Sequence, residues 1–141
     1  MNEMEPKMHE LTVSADIDRL HEVLAFVDEL FEAHVCPMKA QMQIEVALEE
    51  LFVNIAHYAY TKGTGEATIR VNITPEFIEI TLIDSGIPYD PLKKPDPDVT
   101  LSAHDRPIGG LGIFMTKKLM DDVSYEYKDG KNHLTIKKLF K

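Results

Sequence analysis

Three short stretches carry side chains whose types and spacing suit chemistry. The first is Glu49-Glu50-Leu51-Phe52-Val53-Asn54-Ile55-Ala56-His57. At about 100° per residue on a helix, Glu50, Asn54 and His57 fall on one face. A carboxylate and an amide one turn apart offer oxygen ligands for a hard cation, or one ligand and one general base. A solvated helix face is the competing reading, but Phe52, Val53, Ile55 and Ala56 leave almost no side of this segment fully polar. The second stretch is Asp84-Ser85-Gly86-Ile87-Pro88-Tyr89-Asp90-Pro91, directly after an alternating apolar run. Gly86 can take φ > 0 and lets another backbone or a ligand come close, while Pro88 and Pro91 stop the strand. Asp84 is left at the mouth of a sheet, where its carboxylate can accept from the exocyclic amine of a base such as adenine. A plain Asx-type turn is the alternative. The third stretch is Gly109-Gly110-Leu111-Gly112 ahead of a helix. Small residues there leave backbone N–H groups bare at the positive end of the helix, which suits phosphate. Neither of the two common glycine-rich phosphate loops is matched.

The elements that must position these residues can be read from periodicity. Met8 to Ser14 alternates loosely and predicts a first strand. Ser14 or Asp16 can cap a helix whose apolar positions are Ile17, Leu20, Val23, Leu24, Val27, Leu30 and Phe31, ending at Cys36-Pro37. A second helix is predicted from about Met38 to Tyr60, with Ile44, Ala47, Leu48, Leu51, Ile55 and Tyr58 as its stripe. Lys62-Gly63-Thr64-Gly65 stops it. The alternating runs Ala67 to Thr74 and Phe77 to Ile83 then form a hairpin through Pro75-Glu76. Residues 92 to 108 are polar and proline-rich, the composition of a lid or a disordered stretch. A third helix carries Ile113, Phe114, Leu119 and Met120, and the strands Val123 to Lys128 and Leu134 to Phe140 flank an Asp129-Gly130 turn. The order β-α-α-β-β-loop-α-β-β predicts an α+β two-layer sandwich. Its mixed sheet of about five strands would be covered on one face by about three helices.

Composition narrows the function classes. The chain has 141 residues, which predicts a single domain spanning 1–141. Its formal net charge of -9 argues against nucleic-acid binding over a broad face, though not against a local site for one triphosphate. The single cysteine, Cys36, can form neither an internal disulfide nor a zinc cluster by itself, so a reducing cytoplasm is expected and the thiol reads as packing. No apolar run reaches the length of a membrane span, and the N-terminus lacks a signal-peptide core.

Taken in order, the helical Glu-x-x-x-Asn, the strand ending in Asp-x-Gly, the variable loop and Gly-Gly-Leu-Gly before a helix resemble the GHKL ATPase superfamily with the Bergerat ATP-binding fold. The small size, Arg106-Pro107-Ile108-Gly109-Gly110-Leu111-Gly112-Ile113-Phe114 and Asp84-Ser85-Gly86-Ile87-Pro88-Tyr89-Asp90-Pro91 are similar to the bacterial anti-sigma-factor serine protein kinases. The resemblance implies ATP and Mg²⁺ as cofactors. It implies Asn54 as the Mg²⁺ ligand, Glu50 as general base, Asp84 as the adenine acceptor, and Gly86 as room for the base. Gly110, Leu111 and Gly112 would lie near the phosphates, and Arg106 would be a lid residue facing the γ-phosphate. Thr135 would be a strand threonine sharing a water with Asp84. It further implies a STAS-domain anti-sigma-factor antagonist as the serine substrate, a sigma factor as second partner, and a homodimer formed near residues 8 to 30. A non-catalytic ATP-binding module that sequesters a partner is the alternative. Related sequences often carry histidine one turn after the asparagine; here Tyr58 stands there, with His57 beside it.

Overall fold

The computed structural model describes residues 7–60, 65–93 and 110–140. Strand β1 (Lys7–Ser14) leads through a 3-10 turn at Ile17–Arg19 into helix α1 (Leu20–Ala33). Of the two candidate caps, Asp16 caps the 3-10 turn, its carboxylate accepting from the Asp18 N–H at 2.9 Å, while α1 itself begins after Arg19 without a side-chain cap. Helix α2 (Met38–Asn54) follows, then β2 (Glu66–Ile73), β3 (Phe77–Asp84), α3 (Gly110–Leu119), β4 (Asp122–Lys128) and β5 (Lys131–Leu139).

The fold class is the expected one: an α+β arrangement of five strands and three helices. The sheet order is β1-β2-β3-β5-β4, and each of its four ladders is antiparallel. The expectation of a mixed sheet is therefore corrected. The connection from β3 through α3 to β4 does set two strands in the same direction, but the hairpin's second strand, β5, inserts between them. Asp129 and Gly130, with φ of 55° and 75°, form the tight turn of that hairpin.

One sheet face carries Ala67, Ile69, Val71, Ile73, Ile78, Ile80, Leu82 and Ile136, all buried. They meet Val23, Val27, Leu30 and Phe31 of α1 and Ile44, Ala47, Leu48, Leu51 and Phe52 of α2. The apolar stripe of α1 thus faces the core, apart from Ile17, which is exposed. Cys36 is buried within the same cluster, and burial pushes its thiol above the ordinary cysteine range, which suits packing rather than nucleophilic chemistry. Among the described residues, no helix is long and apolar enough to cross a membrane.

Candidate functional site

The second helix does not run evenly to Tyr60. It is α-helical to Asn54 and then opens into a π-turn over Ile55–Ala59. Such i→i+5 turns occur often at functional sites because they redirect side chains without ending the helix. Asn54 sits at the junction. Beyond it Tyr58 joins the cavity wall, while His57 is exposed and stacks edge-on against Tyr58 with ring centroids 5.8 Å apart. The expected face of Glu50, Asn54 and His57 is therefore broken at the histidine, because the π-turn changes the angular spacing after residue 54.

A cavity of about 550 Å³ opens beside this turn. Asn54, Ile55, Tyr58 and Ala59 line one side, and Leu82, Asp84, Asn132 and Leu134 line the sheet side. Leu51, Ile87, Tyr89, Pro91 and Tyr125 form the rest of the wall. Apolar walls with a few fixed polar groups are usual for small-molecule sites, and the volume falls within the roughly 300–1,000 Å³ that such sites span. The cavity thus unites Asn54 and Asp84, which lie 30 residues apart in sequence.

Asp84 ends β3 and is buried. Its Oδ1 accepts from the Gly86 N–H at 2.9 Å, so the Asx-type turn is real. The same oxygen accepts from the Asn132 side-chain amide at 2.9 Å. Gly86 makes room for protein rather than for a base: a Cβ there would lie 2.2 Å from the Ala59 carbonyl oxygen. That carbonyl also accepts from the Ile87 N–H at 3.0 Å. The turn after β3 is therefore seated on the end of the π-turn. Tyr60 reinforces the seat by accepting from the Ser85 N–H at 2.9 Å and donating to the Glu66 carbonyl at 2.6 Å. Burial raises the Tyr60 hydroxyl above its ordinary pKa, so it remains a neutral donor at pH 7.

Asn132 is the residue that sequence reasoning missed. It is buried on β5 directly opposite Asp84. Its amide also donates to the Ile87 carbonyl at 2.9 Å, and its Oδ1 accepts from the Tyr89 N–H at 3.1 Å and from the Tyr125 hydroxyl. Burial pushes Tyr125 upward as well, which keeps that hydroxyl a donor. The expected partner, Thr135, is a correction. It pairs with Thr81, the two hydroxyls 2.9 Å apart, and three residues along a strand is an odd step that reverses the face. Its hydroxyl lies on the sheet face away from Asp84.

Beyond Asn54 the site continues outside the cavity: Glu50, one turn before Asn54, and Gly112 are not among the cavity-lining residues. A Cβ on Gly112 would lie 2.7 Å from the Glu50 Oε2, so the glycine lets the carboxylate rest against the first turns of α3. Thr116 fixes that turn by donating to the Gly112 carbonyl at 2.9 Å. Gly110 opens α3 and Leu111 follows it. Arg106, Gly109 and the lid segment beyond Lys93 lie outside the described residues. Among the described residues there is no cluster of three or more His, Cys, Asp or Glu that could hold a metal alone. A cation at Asn54 would thus draw further oxygen ligands from water and phosphate, which is how Mg²⁺ commonly binds. Asn54 would supply one oxygen of such a set.

Comparison with known proteins adds a family to this geometry. The model of the histidine kinase-like ATPase domain matches residues 13–138. The chain is 28% identical over 99 residues to the serine/threonine-protein kinase BtrW of Bordetella bronchiseptica, covering 70% of each protein. It is 30% identical over 98 residues to a serine-protein kinase RsbW of Bacillus cereus, covering 67% of this chain and 61% of that one. A second B. cereus RsbW is 32% identical over the same length, so the match spans about three-fifths of these two relatives.

Proposed function

Because the chain belongs to the histidine kinase-like ATPase family, we propose that it holds ATP in the cavity beside the π-turn and transfers the γ-phosphoryl group to a serine of a protein partner. The single observation that carries this reading is the shared cavity of Asn54 and Asp84, with Glu50 and Gly112 in contact next to it. Asp84 accepts from the adenine amine, and the apolar wall of Leu82, Ile87 and Leu134 covers the base. Asn54 is the proposed Mg²⁺ ligand, and the ion would neutralise phosphate charge. Gly110, Leu111 and Gly112 offer backbone N–H groups at the start of α3, and Arg106 is assigned to the γ-phosphate by resemblance.

Glu50 takes the proton of the serine hydroxyl. The serine oxygen forms a new bond to the γ-phosphorus as the bond to the β,γ-bridging oxygen breaks, and ADP leaves with that electron pair. Catalysis of this kind depends chiefly on positioning and charge neutralisation. The names of the relatives, all serine or serine/threonine kinases, support phosphotransfer. The resemblance supports a STAS-domain antagonist as acceptor, a sigma factor as alternate partner, a cytoplasmic location, and a homodimer built near β1, which is an edge strand.

Purified chain, γ-labelled ATP, Mg²⁺ and a STAS-domain protein test the proposal. Label on a serine of the acceptor is expected. Tight ATP binding with no transfer would instead favour the non-catalytic module, and no ATP-induced rise in melting temperature would remove nucleotide from the account.

A further inference from the structure

Asn132 uses its full hydrogen-bonding capacity at one point in the fold. Its two amide hydrogens go to Asp84 Oδ1 and to the Ile87 carbonyl, and its oxygen receives the Tyr89 N–H and the Tyr125 hydroxyl. Three separate pieces of the cavity rim therefore meet on one buried side chain: the end of β3, the turn that follows it, and β4. Both described bonds to the Asp84 carboxylate land on Oδ1. No described residue donates to Oδ2, and Asp84 itself lines the cavity.

We propose that Asn132 is a positioning residue that sets the preference for a base bearing an exocyclic amine. It does so by fixing which Asp84 oxygen is spent inside the protein and which is left for the ligand. An aspartate free to rotate would divide its oxygens between the Gly86 N–H and solvent. With Asn132 in place the side chain has one orientation, and Oδ2 is an acceptor presented to the cavity. An acceptor that a bound base covers takes an amine and disfavours a carbonyl oxygen, because two acceptors cannot pair and both are then desolvated. The same side chain holds the Tyr89 backbone, so the wall beside the base is set in register with the reading oxygen. This inference rests on the ATP reading above.

The experiment is a calorimetric comparison of ATP and inosine triphosphate, which carries an oxygen where ATP carries the amine, on the full chain with Mg²⁺. Wild type is expected to prefer ATP by about 30-fold or more, the range of one charge-assisted hydrogen bond. In Asn132→Ala that ratio should fall to within about threefold of unity, with inosine triphosphate affinity nearly unchanged. A parallel fall in both affinities would mean that Asn132 only supports the fold, and the inference fails. A retained ratio overturns it too, while leaving the ATP reading intact. Absence of binding to either nucleotide in wild type overturns the ATP reading itself. Tyr125→Phe, which removes one of the four bonds, serves if Asn132→Ala does not fold. It should lower the ratio by about threefold, and an unchanged ratio counts against the proposal.

Discussion

At the Asp84 end of the cavity, hydrogen bonds join Asp84, Gly86, Ile87, Tyr89, Tyr125 and Asn132 into one connected set. At the Glu50 end, no hydrogen bond between described residues fixes the side chain of Glu50 or Asn54, and the contact that defines the region is a glycine yielding space to a carboxylate. The first end is held by bonds within the protein, and among the described residues the second is not. Preorganised groups lose little freedom on binding and give specificity. Groups without hydrogen-bond partners among the described residues can serve a metal, a phosphate or a proton. The contrast implies that substitutions at the two ends separate into affinity effects and rate effects.

The largest separation is expected from Glu50→Ala. A general base contributes roughly 10²- to 10⁴-fold to rate, so phosphotransfer should fall by that factor while ATP affinity changes by about threefold or less. Single-turnover transfer alongside nucleotide titration reads both quantities. A fully active variant would place the base elsewhere and make the Glu50 end a mere spacer.

Asp84→Asn tests the opposite end. The substitution replaces an acceptor-only carboxylate by an amide that can present donors to the adenine amine. Loss of about 3 kcal/mol, a charge-assisted bond plus its mismatch, corresponds to roughly 100-fold weaker ATP binding. Unchanged affinity would dissolve the distinction between the two ends, because the reader would not be reading.

The Asp84 end also depends on close backbone contact, which Gly86→Ala probes. With a Cβ placed 2.2 Å from the Ala59 carbonyl oxygen, either the turn or the π-turn must shift. Overpacking of this kind costs about 1–3 kcal/mol, so a lowered melting temperature is expected together with weaker nucleotide binding. Gly112→Ala makes the matching change at the other end, where the neighbour is the movable tip of Glu50. A smaller loss of stability there would fit a loosely held carboxylate.

What the sequence revealed follows the same division. Glu50, Asn54, Asp84 and Gly112 belong to local patterns, so the shared cavity of Asn54 and Asp84 and the contact of Glu50 with Gly112 agree with the order of helix, strand and glycine segment. Asn132 could not be found that way. Its role depends on the β3–β5 register, which sets it opposite Asp84 across 48 residues. The mixed-sheet expectation failed for a related reason: nothing local indicates that β5 enters between β3 and β4. The π-turn was hidden too, since Ile55 and Tyr58 continue an acceptable α-helical stripe. The resemblance to related kinases pointed to a threonine, and the only threonine on β5 is Thr135, an odd number of steps from the place that faces Asp84.

Thr135→Val therefore gives the smallest expected effect and the sharpest control on the register. The lost partner is Thr81 on the far face of the sheet, and a cross-strand threonine pair contributes roughly 0.2–1 kcal/mol. Valine suits a strand, so part of even that loss is offset by packing. Stability should drop by no more than about 1 kcal/mol and nucleotide affinity by less than about twofold. Denaturant melts with ATP titrations measure both. A large loss of ATP affinity would mean that Thr135 reaches the cavity, which requires β5 to slip by one residue and turn Asn132 away from Asp84. The reading end would then have to be rebuilt around a different pair, whereas the Glu50 end, carried by α2 and α3, would stand unchanged.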